Sequence, residues 1–135
     1  MIKILVVDDM LSWREFHKTV LEEVFLELDE NNYQIDLANY ARDAQDKLYE
    51  NSSAPYDLII TDLQMEDEFE PQYAGEWLVG EIKKLSSYKQ SRIIISSGTY
   101  NIKQIADSLD VEYIPKRIAC TDLNSYKELI IKGLK

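Results

Sequence analysis

The 135-residue chain has one cysteine and one histidine. A lone cysteine, Cys120, cannot close an internal disulfide, which suits a reducing compartment and leaves it the role of a packing residue. A lone imidazole, His17, lacks the partner ligands that a zinc site needs and reads as a structural or exposed residue of the first helix. Glycine is scarce too, at four residues. None of them lies in "DDMLS", the segment after the first apolar run, so a glycine-rich phosphate cradle for a nucleotide or flavin is missing there. No apolar run approaches the roughly 20 residues of a membrane-spanning helix. The N-terminal "MIKILVVDDM" is too short in its apolar part for a signal peptide and ends in acids, with no small-residue cleavage site. The expectation is a cytoplasmic protein with no membrane attachment.

Basic residues are in deficit. Lys and Arg number 15 against 25 Asp and Glu, a formal net charge of −10. Such a balance disfavours nonspecific binding of nucleic acid, which needs cations to neutralise phosphates. It leaves a cationic or protein partner open, and much of the charge reads as solvated surface. The length suits one domain, residues 1–135, with one core. A hydrophobic share of 45% and a charged share of 30% fit a soluble globular protein.

What the chain does have is regular alternation. "IKILVV" (Ile2–Val7) is short, apolar and rich in β-branched residues, as a buried strand is. Trp13, Phe16, Val20, Leu21, Val24 and Leu28 then recur at helical steps, and Ser12 with Glu15 has the spacing of a capping box. "YQIDLA" (Tyr33–Ala38) alternates like a strand, and Ala41–Glu50 reads as a helix. "NSSAP" breaks the chain before a third strand in "YDLIIT". Gln64–Tyr73 has no period and reads as a long acidic loop. Helix (from Ala74), strand (Arg92–Ser96), short helix (Asn101–Leu109), strand (Val111–Ile114) and a closing helix from Asp122 follow. Five strands alternating with five helices predict an α/β fold, a parallel sheet covered on both faces. There are no internal repeats and no linker.

In such sheets the working site lies outside the carboxyl ends of the strands. Asp8 and Asp9 follow strand one, and Asp62 follows strand three. With strand order 2-1-3-4-5 these ends are neighbours, so three carboxylates crowd and repel. A divalent cation with oxygen ligands relieves that crowding, and Mg²⁺ is suited because it keeps open positions beside phosphate. Strand four ends in "SSG", offering a hydroxyl from Ser96 or Ser97, and strand five is followed by Lys116. A phosphoryl group on Asp62 would need this set: a cation, an ammonium, a hydroxyl and backbone N–H groups.

"ILVVDD", "YDLIITDLQM", "IIISSG" and "YIPK", in this order across essentially the whole chain, resemble the receiver domains of two-component response regulators, of the chemotaxis-receiver type. The resemblance implies a flavodoxin-like, doubly wound (βα)5 fold with strand order 2-1-3-4-5. It implies that Asp62 accepts a phosphoryl group from a histidine kinase or phosphotransfer protein. Asp9 then binds the metal directly, Asp8 largely through water, and the backbone carbonyl of Gln64 supplies a further ligand, with Mg²⁺ as cofactor and Mn²⁺ as a substitute. Ser97, preferred to Ser96 because a small residue follows it, and Lys116 contact the phosphoryl group. Ser97 and Tyr113 form the switch, acting on the face of helix four, strand five and helix five, and Gln64 with Thr99 tune dephosphorylation. The implied partners are the phosphodonor and a downstream protein or output domain, with a phosphorylation-dependent homodimer as one output. No output domain is expected within this chain. The domain is a switch, assisting only its own phosphorylation and hydrolysis.

Two departures stand out. The family usually has proline after the lysine, with a cis peptide; here Arg117 follows Lys116, and a trans bond is expected because cis without proline costs about 3 kcal/mol. The loop after Met65 is longer than usual and carries Glu66, Asp67, Glu68 and Glu70 near the metal site. An alternative reading is a receiver-like module that binds a partner without switching. A phosphotransfer hydrolase using an aspartyl nucleophile is disfavoured, because Gln64 stands where such enzymes carry a second acid.

Overall fold

The computed structural model describes residues 1–64 and 74–134. The acidic run Glu66, Asp67, Glu68 and Glu70 therefore lies outside the described residues. Five parallel strands form one sheet of order β2-β1-β3-β4-β5. They are β1 (Ile2–Val7), β2 (Tyr33–Ala38), β3 (Leu58–Thr61), β4 (Arg92–Ser97) and β5 (Glu112–Pro115). The helices are α1 (Leu11–Glu27), α2 (Ala41–Glu50), α3 (Ala74–Lys84), α4 (Ile102–Leu109), α5 (Lys116–Thr121) and α6 (Leu123–Leu134), with a short 3₁₀ turn at Ser86–Tyr88.

Strand alternation divides the core into two layers, because successive side chains point to opposite faces. Leu5, Val7, Ile59, Ile93 and Ile95 pack with Ala44, Leu48, Leu78, Val79 and Ala106 from α2, α3 and α4. Ile4, Val6, Leu58, Ile60 and Ile94 pack with Leu21, Val24, Ala119, Tyr126 and Ile130 from α1, α5 and α6. β1 and β3 lie inside the sheet and bury nearly every side chain, which is why they read as continuous apolar runs.

Four expectations from the sequence need correction. Ser12 lies inside α1; the N-cap is Met10 and makes no side-chain cap, so the Ser12–Glu15 capping box does not form. Among the described residues there is a sixth helix: α5 starts at Lys116, directly after β5, so the step from Lys116 to Arg117 enters a helix in place of a loop. Among the described residues no peptide bond is cis, in line with the expected trans step at Lys116. Cys120 is exposed on α5 and does not pack in the core; its Sγ lies 3.2 Å from the Lys116 carbonyl. Finally β4 reaches Ser97 and β5 runs Glu112–Pro115, one residue later than expected, so that Ser97 pairs with Pro115 and Tyr113 with Ile95.

The far edge of the sheet is held by Arg92. Its guanidinium grips Glu112 through two hydrogen bonds of 2.8 Å. It also donates to the carbonyls of Leu129 (2.9 Å) and Ile130 (3.1 Å), tying α6 to β4 and β5.

Candidate phosphoryl and metal site

The sheet ladder itself brings the acids together. β1 and β3 are neighbours in register, Val7 beside Thr61. The N–H of Asp62 donates to the Val7 carbonyl at 2.9 Å, and that of Asp8 to the Ala38 carbonyl at 3.1 Å, so the ladder runs one step past the strands. Asp8 continues the alternation of Ile4 and Val6, and Asp62 that of Leu58 and Ile60, so both leave the sheet toward the α1 and α6 side. Asp8, Asp9 and Asp62 offer carboxylate oxygens that all lie within 4.8 Å of one another.

In each of the two buried acids one oxygen is fixed by backbone. Asp8 Oδ1 accepts the Met10 N–H at 3.0 Å. Asp62 Oδ1 accepts the Leu63 N–H at 2.8 Å and, more weakly, the Gln64 N–H at 3.4 Å. The other oxygens face the ammonium of Lys116, which lies 3.0 Å from Asp8 Oδ2 and 3.3 Å from Asp62 Oδ2. One ammonium is thus shared between two buried carboxylate oxygens, one from each acid. Burial pushes the Asp62 carboxyl up to about 6, with Lys116 pulling it down and Asp8 pushing it up. Burial likewise raises Asp8, against the Met10 N–H and Lys116. Two desolvated carboxylates facing one ammonium leave a surplus of negative charge.

A cluster of three carboxylates, two of which share a single ammonium, fits a hard divalent cation, whose ligands are carboxylates, carbonyls and water. Gln64 is the last described residue before the acidic run, close enough to Asp62 for its N–H to reach Oδ1.

The hydroxyl candidates separate by face. Ser97 lies two residues beyond Ile95 and shares its face with Tyr113, which packs half-buried against the α2–α4 layer. Ser97 Oγ accepts the Thr99 N–H at 3.2 Å and lines a cleft of about 240 Å³ with Pro115 and Arg117. Ser96 shares the face of Ile94, Asp62 and Asp8; it is fully buried and its Oγ has no hydrogen-bond partner. Gln64 and Thr99 line one cleft of about 300 Å³, together with Glu76.

Two residues at the site, Trp13 and Arg14, escaped sequence reasoning. Trp13 reads as part of an apolar stripe, yet its ring lies under the Lys116 ammonium, 4.8 Å from the centroid. Arg14 donates to the Asp8 carbonyl at 2.8 Å. Gly75 donates its N–H to the Leu63 carbonyl at 3.0 Å, and a Cβ there would collide with the Asp62 carbonyl and the Leu63 backbone. His17 is buried, 2.5 Å from the Tyr126 hydroxyl. For Trp13 and Arg14 the only available signal was their place within the first turn after Asp8 and Asp9.

A doubly wound sheet with this strand order, carrying acids after β1 and β3 and a lysine after β5, decides the architecture. The fold is that of a response-regulator receiver domain. No protein-family model matches the chain, and no curated protein does. Solved structures do. The chain is similar to the chemotaxis response regulator CheY4 of Vibrio cholerae, at 25% identity and a TM-score of 0.66 over 86% of this chain and 87% of that one. It is similar to the non-phosphorylated HemR receiver domain of Leptospira biflexa, at 20% identity and a TM-score of 0.73 over 100% of this chain and 95% of that one. It is also similar to the Mn²⁺-bound response regulator Rcp1, at 17% identity and a TM-score of 0.64 over 96% and 89%. Among the described residues no helix is long and apolar enough to cross a membrane.

Proposed function

We propose that this receiver is a phosphorylation switch in which Asp62 is the acceptor. The observation that carries the reading is the convergence of Asp8, Asp62 and Lys116 at the carboxyl edge of the sheet, with backbone holding one oxygen of each acid and Lys116 facing the other. A carboxylate oxygen of Asp62 attacks the phosphorus of a phosphohistidine on a kinase or phosphotransfer protein. The phosphorus–nitrogen bond breaks, the imidazole leaves with the electron pair and takes up a proton, and an acyl phosphate remains on Asp62. Lys116 counters the charge that develops on the phosphoryl oxygens.

Asp8, Asp9, Asp62 and the Gln64 carbonyl would hold Mg²⁺, or Mn²⁺ as in the Rcp1 structure, and the ion would neutralise charge at the transferring group. Ser97 donates its hydroxyl to the phosphoryl group after giving up its bond with the Thr99 N–H. The space it leaves takes Tyr113, which shares its face. The surface of α4, β5 and the C-terminal helices then changes for a downstream protein, an output domain or a second copy of the chain. Gln64 and Thr99, on one cleft, set the access of water to the acyl phosphate. The domain catalyses nothing beyond its own phosphorylation and hydrolysis.

The test is incubation with acetyl phosphate and Mg²⁺ followed by intact mass. A single phosphate adduct, absent in Asp62→Asn and lost when the divalent cation is chelated, is the expected result. An adduct of equal yield in Asp62→Asn would reject Asp62 as acceptor.

A further inference from the structure

Lys116 has an unusual setting, and it points to a residue that the acidic cluster alone does not account for. The lysine is the first residue of α5, reached directly from Pro115. Its four-carbon stem is flexible, and its ammonium is a compact charge with no fixed geometry of its own. Two carboxylates draw it from one side, at 3.0 and 3.3 Å. On another side lies the Trp13 indole, 4.8 Å from ammonium to ring centroid, from the first turn of α1. Trp13 is itself braced, edge-on to Phe16 at 5.4 Å and tilted against His17 at 5.8 Å. The Lys116 side chain is only 13% exposed, so this contact is sheltered from water, where the attraction of a cation to an aromatic face is strongest.

We propose that Trp13 is a positioning residue for Lys116, holding its ammonium at the level of Asp62 by the face of the indole. This rests on the phosphoacceptor reading of the site. The indole attraction is independent of the carboxylates. When a cation takes up the charge on Asp8 and Asp62, Trp13 keeps the ammonium from swinging to solvent. The aromatic side chain in α1 thus does for Lys116 what a rigid turn after the lysine would otherwise do.

The chain has two tryptophans, so Trp77→Phe leaves Trp13 as the only indole emitter. In that background Lys116→Met should change the intensity and wavelength of Trp13 emission, while Lys84→Met on the exposed end of α3 leaves them unchanged. Emission unaltered by Lys116→Met would overturn the contact whether or not Asp62 is ever phosphorylated. The second arm compares acetyl phosphate labelling of wild type, Trp13→Phe and Trp13→Leu by intact mass. Leu, with no π face, should slow labelling about tenfold, and Phe, a weaker π face, should restore most of the rate. Equal rates for Leu and wild type, or a Phe variant as slow as the Leu variant, would overturn the positioning role. Failure of wild type to label would instead count against the phosphoacceptor reading, leaving the emission arm to judge Trp13.

Discussion

The His17 Nδ1 stands 2.5 Å from the Tyr126 hydroxyl, joining α1 to α6 across 109 positions of the chain. The two rings meet edge to face at 5.6 Å, and Phe16 stacks on Tyr126 at 6.3 Å. A buried hydroxyl and a buried imidazole satisfy each other here, so neither is left as an unpaired polar group in the core. Burial first, and the charge of Lys116 second, push the imidazole down to about 3.

The pH dependence follows from that shift. The unfolded imidazole binds a proton near its ordinary value of 6.5 and the folded one only near 3. Stability from a neutral His17 is therefore fully present above pH 6.5 and lost as pH falls toward 3, at about 1.4 kcal/mol per pH unit. Asp62 acts in the opposite sense, because its folded value of about 6 lies above its ordinary 3.8, so protonation between these values favours the fold. The two are separated by comparing wild type with His17→Gln in urea unfolding. The stability advantage of wild type over the variant should shrink steadily below pH 6.5. A pH-independent difference would show that His17 is not neutral in the fold.

Two glycines on α3 should respond oppositely to alanine. Gly75 lies against the Asp62 and Leu63 backbone, and a methyl group there has no room unless α3 moves off the site. Gly80 has nothing near its missing Cβ. Gly80→Ala should stabilise by about 0.5–1 kcal/mol through helix propensity and chain entropy. Gly75→Ala should destabilise by about 1–3 kcal/mol, the range of overpacked core sites. Thermal unfolding of the two variants decides; a stabilised Gly75→Ala would mean that α3 is not seated on the Asp62–Leu63 backbone.

Charge crowding at the acids predicts a trade between stability and function. Without divalent cations, Asp62→Asn should raise stability at pH 7 by about 1–3 kcal/mol, because burial of the ionised carboxyl is no longer imposed. Adding Mg²⁺ should stabilise wild type, by about 2.7 kcal/mol at a hundredfold excess over its dissociation constant, and Asp62→Asn much less. Thermal midpoints with and without Mg²⁺ measure both. A wild type that gains nothing from the cation would reject the metal site.

The sheet and its edge were legible because they rest on patterns with one physical cause. Strands buried on both faces must be apolar, so the acids after Val7 and Thr61 and the lysine after Pro115 stood out as strand-end groups. The caps were not legible. Ser12 and Glu15 have capping-box spacing, yet Asp8 Oδ1 takes the Met10 N–H and the N-cap falls two residues earlier, at Met10. Nor was α5 legible, since six residues carry too short a period to show a helix. Trp13 was hidden for another reason. Its spacing matches an apolar stripe, and only tertiary structure places a cation over its face.

The most direct test of the central claim is the position of the phosphoryl group. Borohydride reduces an acyl phosphate on aspartate to homoserine, and peptide mass analysis then locates it. After treatment with acetyl phosphate and Mg²⁺, homoserine should appear at position 62 and nowhere else. Homoserine at Asp8 or Asp9, or none at any acid, would contradict the account.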